Sequence, residues 1–167
     1  MKIELKINEM HSQAIKKYKS DNLVDAIDLF SKILEIDKPW GGEKIVFNKN
    51  SKLIKGILKI ITIKKGKSCS LQYHNKKIEN ICIISGNAYL YYFDKKINQK
   101  MVSMPKEREQ KIIDKKILKR KIKRDDNFFI KNKIIHKIEA LSDLTFIEIS
   151  SNHLKDVVRI NDEYGRN

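Results

Sequence analysis

Four side chains carry the chemistry that this sequence offers most plainly: Gln72, His74, Glu79 and His136. Gln72 and His74 are separated by one residue, and alternate residues of an extended chain point the same way, so the two share a face. Glu79 follows a tight Asn75-Lys76-Lys77 turn, opens the next strand and can return to that face. His136 comes after a turn-like Lys131-Asn132-Lys133 and begins another strand. Two imidazoles, a carboxylate and an amide oxygen converging inside a barrel suit a divalent first-row metal that keeps positions open for water or substrate. His11 and His153 lie outside this pattern and read as surface residues.

The elements that must position these groups are short. Ile57–Ile63, Ile81–Ser85, Ala88–Tyr92, Phe128–Ile130, His136–Glu139 and Leu144–Ile149 are β-branched or aromatic runs of strand length, bounded by Gly, Asn, Asp and Lys. Many short strands without intervening helices predict a mainly β sandwich or barrel. The two prolines, Pro39 and Pro105, fall outside those runs. The Lys-rich stretch from Phe93 to Asp126 reads as an extended hairpin or a mobile loop. Before Lys38 the period changes. Apolar residues recur at three and four through Gln13–Tyr18 and Val24–Leu34, and Ser20-Asp21-Asn22 between them supplies capping chemistry. Residues 1–37 are therefore expected to form an α-helical hairpin, a single tetratricopeptide-like unit, appended to a β domain over 38–167.

Length and composition bound the rest. A chain of 167 residues, 41% apolar and 34% charged, accommodates one core with a small appendage. No run approaches the roughly 18 apolar residues of a membrane span, and the first residues alternate charge with apolar groups, so a cytoplasmic chain with no membrane contact is expected. Cys69 and Cys82 match no zinc or redox spacing and read as reduced core thiols. The net charge is +15, yet only five of the 36 basic residues are arginine (Arg108, Arg120, Arg124, Arg159 and Arg166). Lysine spread through nearly every segment resembles a compositional bias more than a built patch, which argues against nucleic acid as the partner. The densest run, Lys115 to Arg124, is expected as an exposed strand or hairpin with a solvated face. Such a surface still draws in small anions such as sugar phosphates.

Gly66, Gln72, His74, Glu79 and Gly86 match the first cupin motif, G-x5-H-x-H-x4-E-x6-G, with Gln72 in place of the first histidine. The second motif, P-x-G-x2-H, survives as Lys131-x-Lys133-x2-His136, without its proline and glycine. Lys38-Pro39-Trp40-Gly41, Ser70-Leu71-Gln72-Tyr73-His74 and the tail from Asp156 to Arg166 together resemble the type II phosphomannose isomerase cupins, especially their short stand-alone members. The resemblance covers residues 38 to 167 and leaves the helical hairpin outside it.

That resemblance implies an RmlC-like cupin barrel of the double-stranded β-helix type. It implies one divalent metal, typically zinc with manganese, iron or nickel open, on Gln72, His74, Glu79 and His136. The activity implied is interconversion of mannose 6-phosphate and fructose 6-phosphate in nucleotide-sugar or surface-polysaccharide supply, by a homodimer. Aldose–ketose isomerisation needs a base, an electrophile and phosphate-anchoring cations. Arg159 matches the family's tail arginine and is the first candidate for a catalytic or phosphate-binding cation, unless it pairs with Asp156 or Asp162. Lys77 stands where the larger family has arginine, Glu148 is the spare carboxylate for proton transfer, and Lys59 and Arg166 are candidates for binding substrate. With no nucleotidyltransferase domain or Gly-rich phosphate loop in the sequence, pyrophosphorylase activity is not expected. A second reading is a non-catalytic cupin that binds a sugar or sugar nucleotide and docks a protein partner through the hairpin. A third is nucleic-acid binding through the Lys-rich stretch, with a steep salt dependence.

Overall fold

The β-branched runs pair into two antiparallel sheets. The structure is a computed structural model that describes residues 35–50, 55–93 and 106–166. Its strands are β1 (Glu35–Lys38), β2 (Gly41–Asn50), β3 (Lys55–Ile63), β4 (Leu71–Tyr73), β5 (Glu79–Ser85), β6 (Asn87–Tyr92), β7 (Leu118–Lys123), β8 (Asn127–Ile130), β9 (His136–Ala140), β10 (Leu144–Ser150) and β11 (Val158–Asn161), with one helix, α1 (Lys106–Lys116), before β7. One sheet runs β1-β2-β3-β10-β5-β8 and the other β11-β4-β9-β6-β7.

Alternation along the strands decides what faces inward. Ile61 and Ile63 of β3, Ile81 and Ile83 of β5, Ala88 and Leu90 of β6, Ile138 and Ala140 of β9, and Phe146 of β10 form one buried cluster with Trp40. Each Ile, Leu or Phe side chain taken from water contributes about 1.5–3 kcal/mol, so this cluster fixes how the two sheets face each other. Further along the same inner faces the alternation places polar groups: Lys59 on β3, Glu79 on β5, His136 on β9 and Glu148 on β10 are all buried. The barrel thus has an apolar part that holds it together and a polar part that remains to be explained. A second cluster lies where α1 covers the outer face of the second sheet: Ile113 packs with Leu71, Tyr73, Phe93 and Ile135, and it braces the strand that carries Gln72.

The six runs expected as strands are strands. β1, β2 and β11 were not evident in the sequence, and α1 replaces part of the expected hairpin or loop. The reason for the helix is local: Lys106–Lys116 is rich in Glu, Gln and Lys, which favour helix, while Ile112 and Ile113 are its two apolar residues, too few to reveal a period. Glu35–Lys38, expected as helix, is strand β1, because it pairs with β2 from Glu35↔Lys44 to Lys38↔Gly41. The rest of the expected helical hairpin, residues 1–34, lies outside the described residues, as does His11. His153 is exposed, as expected. Both cysteines are free thiols, but Cys82 is exposed on the outer face of β5 and Cys69 is half-buried, so neither is the fully buried core residue expected. Among the described residues no helix is long and apolar enough to cross a membrane.

Candidate metal centre

β4 and β9 are neighbours, with Gln72 opposite His136, and Glu79 heads β5 in the facing sheet. Closing the barrel therefore brings residues distant in sequence to one point. His74 Nε2 lies 3.2 Å from Glu79 Oε1, and His136 Nε2 lies 3.4 Å from Glu79 Oε2. The two imidazole centroids are 5.5 Å apart, and one ligand atom from each of the three residues falls within 4.8 Å of the others. All three side chains are buried.

Hydrogen bonds fix the imidazole tautomers. His74 Nδ1 bonds the Asp156 carbonyl and His136 Nδ1 bonds the Ile134 carbonyl at 3.0 Å. A carbonyl oxygen only accepts, so each Nδ1 carries a proton and donates it, and Nε2 is the ring nitrogen turned toward Glu79 and placed to coordinate a metal. Burial pushes the His136 pKa below its ordinary value, which favours that neutral form. Burial would raise the Glu79 carboxyl, but Lys77 and the two imidazoles overcome it and hold it well below the usual range. His74 Nε2 is buried and has no hydrogen-bond partner. An unpartnered nitrogen, a second imidazole nitrogen and an ionised carboxylate are what a divalent transition metal satisfies, so these residues fit the ion expected from the sequence. Gln72 lines the same cavity, although its Oε1 accepts a 2.6 Å hydrogen bond from Ser70 Oγ.

A row of alternating charge leads away from this point. Lys77 Nζ donates to Glu79 Oε1 at 2.5 Å and to Glu148 Oε1 at 2.6 Å. Burial alone would lower the Lys77 pKa, yet Glu148 and Glu79 hold it above the ordinary lysine value. Lys59 Nζ lies 3.9 Å from Glu148 Oε1 and donates to Glu43 Oε2 at 3.4 Å, and Lys38 Nζ lies 3.7 Å from Glu43 Oε1. Apart from Lys77, which lies in the loop before β5, these groups occupy neighbouring strands of the first sheet, where Glu148 is in register with Lys59. Glu43 and Lys38 were not singled out from the sequence; the Lys38-Pro39-Trp40-Gly41 motif just before Glu43 was the available signal.

The tail closes the other side. The Asp156 carboxylate accepts from the backbone N–H groups of Asn75, Lys76 and Lys77, at 3.1, 2.6 and 2.8 Å. Burial opposes ionisation there, but the three donors lower the Asp156 pKa. Arg159, on β11 opposite Gln72, lines the cavity with its Nε buried and unpartnered. It makes neither of the ion pairs weighed for it, since Asp156 caps the turn and Asp162 takes Arg166 through two hydrogen bonds of 2.8 Å. Arg166 nonetheless reaches the cavity wall. Cys69 is there too, a protonated thiol whose pKa burial pushes up to about 11. The cavity enclosed by these groups has a volume of about 140 Å³.

No family model and no curated protein matches the chain. Solved structures do. The capsular polysaccharide assembling protein CapF from Staphylococcus aureus superposes with a TM-score of 0.59 at 13% identity, over 88% of this chain and 45% of its own. Oxalate decarboxylase from Bacillus subtilis, described for its Mn(II) centres, gives 0.57 at 18% identity over 78% of this chain and 30% of its own. KdgF from Halomonas sp. gives 0.52 at 14% identity over 74% of this chain and 91% of its own. The chain spans less than half the length of the first two. At these identities the likeness establishes a cupin, double-stranded β-helix fold and nothing finer.

Proposed function

We propose that this chain is a metal-dependent sugar-phosphate isomerase of the mannose 6-phosphate/fructose 6-phosphate type, serving nucleotide-sugar or surface-polysaccharide synthesis. The observation that carries the reading is one cavity lined by both a trio that could hold a metal ion, His74, Glu79 and His136, and five cations, Lys38, Lys59, Lys77, Arg159 and Arg166. Only Glu43, Glu79 and Glu148 offset those cations within the cavity, and a divalent ion adds two further charges, so the site favours a dianionic ligand. The role of CapF in assembling capsular polysaccharide agrees with a sugar ligand.

A divalent ion bound here would polarise the sugar carbonyl and stabilise negative charge on its oxygen. The chain's own groups then divide the remaining work. Glu148 takes the proton from C2 of the aldose and returns it to C1, while the proton of the C2 hydroxyl passes to the C1 oxygen, so atoms and charge balance. Lys77 holds Glu148 in place through the 2.6 Å hydrogen bond. Arg159 anchors the phosphate, with Lys59 and Arg166 beside it. Homodimerisation and a cytoplasmic setting belong to the same proposal, and sedimentation velocity across a concentration series tests the first.

One observation favours the non-catalytic reading. Lys77, Glu148 and Gln72 are already hydrogen-bonded to one another or to Ser70, which suits a rigid binding site as well as a reactive one. Metal content by mass spectrometry, followed by an isomerase assay, separates the two. About one equivalent of metal, lost in His74→Ala and Glu79→Ala, together with turnover that disappears in Arg159→Ala while metal stays, is the expected result. Metal and sugar phosphate bound without turnover would establish the binding module instead. No metal after incubation with zinc, manganese, iron and nickel would refute the isomerase.

A further inference from the structure

Among the described residues, three buried side-chain polar atoms lack a hydrogen-bond partner: Trp40 Nε1, His74 Nε2 and Arg159 Nε. All three residues line the same cavity. Leaving a buried polar group unpaired is costly, and such groups are rare enough that three around one space call for a common cause. His74 Nε2 is an acceptor, and a metal ion accounts for it. The other two are donors, and a metal ion satisfies neither. An apolar ligand or a cation would leave both unpaired. A ligand that brings acceptor oxygens completes both, in place of water in the cavity.

We infer that the Trp40 indole N–H is a substrate-binding donor that, with Arg159, receives two oxygens of one anionic, oxygen-rich ligand. This deepens the sugar-phosphate reading and rests on it. Trp40 is well placed to act as a fixed donor. It is 4% exposed, packs with Ile61 and Ile63 in the main core, and its carbonyl accepts a 2.9 Å hydrogen bond from Lys64 N–H. The ring therefore cannot swing out to find water, and a donor held in place loses little entropy when a ligand arrives. The tight neighbourhood is set by Gly41, where a Cβ would stand 2.0 Å from the Thr62 carbonyl oxygen.

Trp40 is the single tryptophan of the chain, so its indole gives one unambiguous resonance in a ¹⁵N-labelled sample. The experiment titrates the full-length protein first with Zn²⁺ and then with mannose 6-phosphate. Hydrogen bonding should move the indole proton downfield and slow its exchange with water at the second addition, and not at the first. Backbone amides around Arg159 that respond to mannose 6-phosphate while the indole signal stays in place would overturn the role of Trp40 alone. No response anywhere would overturn the substrate reading and the inference with it. Trp40→Phe, which keeps an aromatic ring and loses the donor, should weaken mannose 6-phosphate binding about tenfold with zinc content unchanged. Unchanged affinity in that variant would also overturn the inference.

Discussion

Lys77 is the residue on which the electrostatics of the barrel turn. Its ammonium sits between two buried carboxylates, Glu79 and Glu148, that would otherwise face each other across a space with little water. Removing one partner from a buried ion pair leaves an uncompensated charge and costs about 3–5 kcal/mol, more than the pair itself contributes. Lys77→Met, which keeps the aliphatic length and drops the charge, should therefore lower the urea midpoint by about that amount of stability. Lys77→Met combined with Glu148→Gln should recover a good part of it, because only Glu79 then remains to be neutralised. A single variant as stable as the parent would mean that water already solvates the carboxylates. The sequence marked Lys77 as standing where the family it resembles carries arginine, but not as a counter-ion. The partners lie 2 and 71 positions away, and only the pairing of β10 with β5 brings the second within reach.

The turn before His136 shows how an element can keep its shape after losing the residues that usually make it. The second cupin motif has glycine at the position held by Lys133. Lys133 adopts φ +62°, the left-handed conformation that glycine favours, and its N–H donates to the His74 carbonyl at 2.6 Å. That bond ties the two histidine-bearing segments together, so the geometry of the ligand trio is bought with backbone strain of about 1–2 kcal/mol at a residue with a Cβ. The Lys133 side chain is exposed and supplies nothing in return. Lys133→Gly should accordingly stabilise the protein by about 1 kcal/mol in urea denaturation and leave metal affinity unchanged. A destabilised Lys133→Gly protein would show that the loss of backbone freedom outweighs the strain. The first motif's Gly86 offers the contrast. At φ +86° a Cβ there would stand 2.2 Å from the Asp143 carbonyl oxygen, so glycine is retained where space as well as conformation forbids anything larger. The six central strands were legible because alternation is a local signal, whereas β1, β2 and β11 were not evident from it. α1 was not, because its seat on Leu71 and Tyr73 exists only once the sheet is built.

Charge is the property of the whole molecule that the sequence displayed most openly and explained least. A net charge of +15 spread over lysines reads as bias, and the barrel gives it a direction by placing the cation-rich cavity within that field. Two contributions to anion binding then have different ranges. The distributed surface lysines act over the Debye length, about 10 Å at 0.1 M salt and about 3 Å at 1 M, so they accelerate encounter only when salt is low. Arg159, with its buried Nε, and the buried Lys59 act at contact and are screened far less. Stopped-flow measurements of mannose 6-phosphate binding, followed through Trp40 fluorescence, should therefore show an association rate that falls roughly tenfold between 0.1 and 1 M NaCl. The dissociation rate should change little, and mannose, which carries no charge, should show neither trend. If the salt dependence instead appeared in dissociation, the surface lysines would be contributing to the bound state itself, and the field of the molecule would be part of the site and not only the path to it.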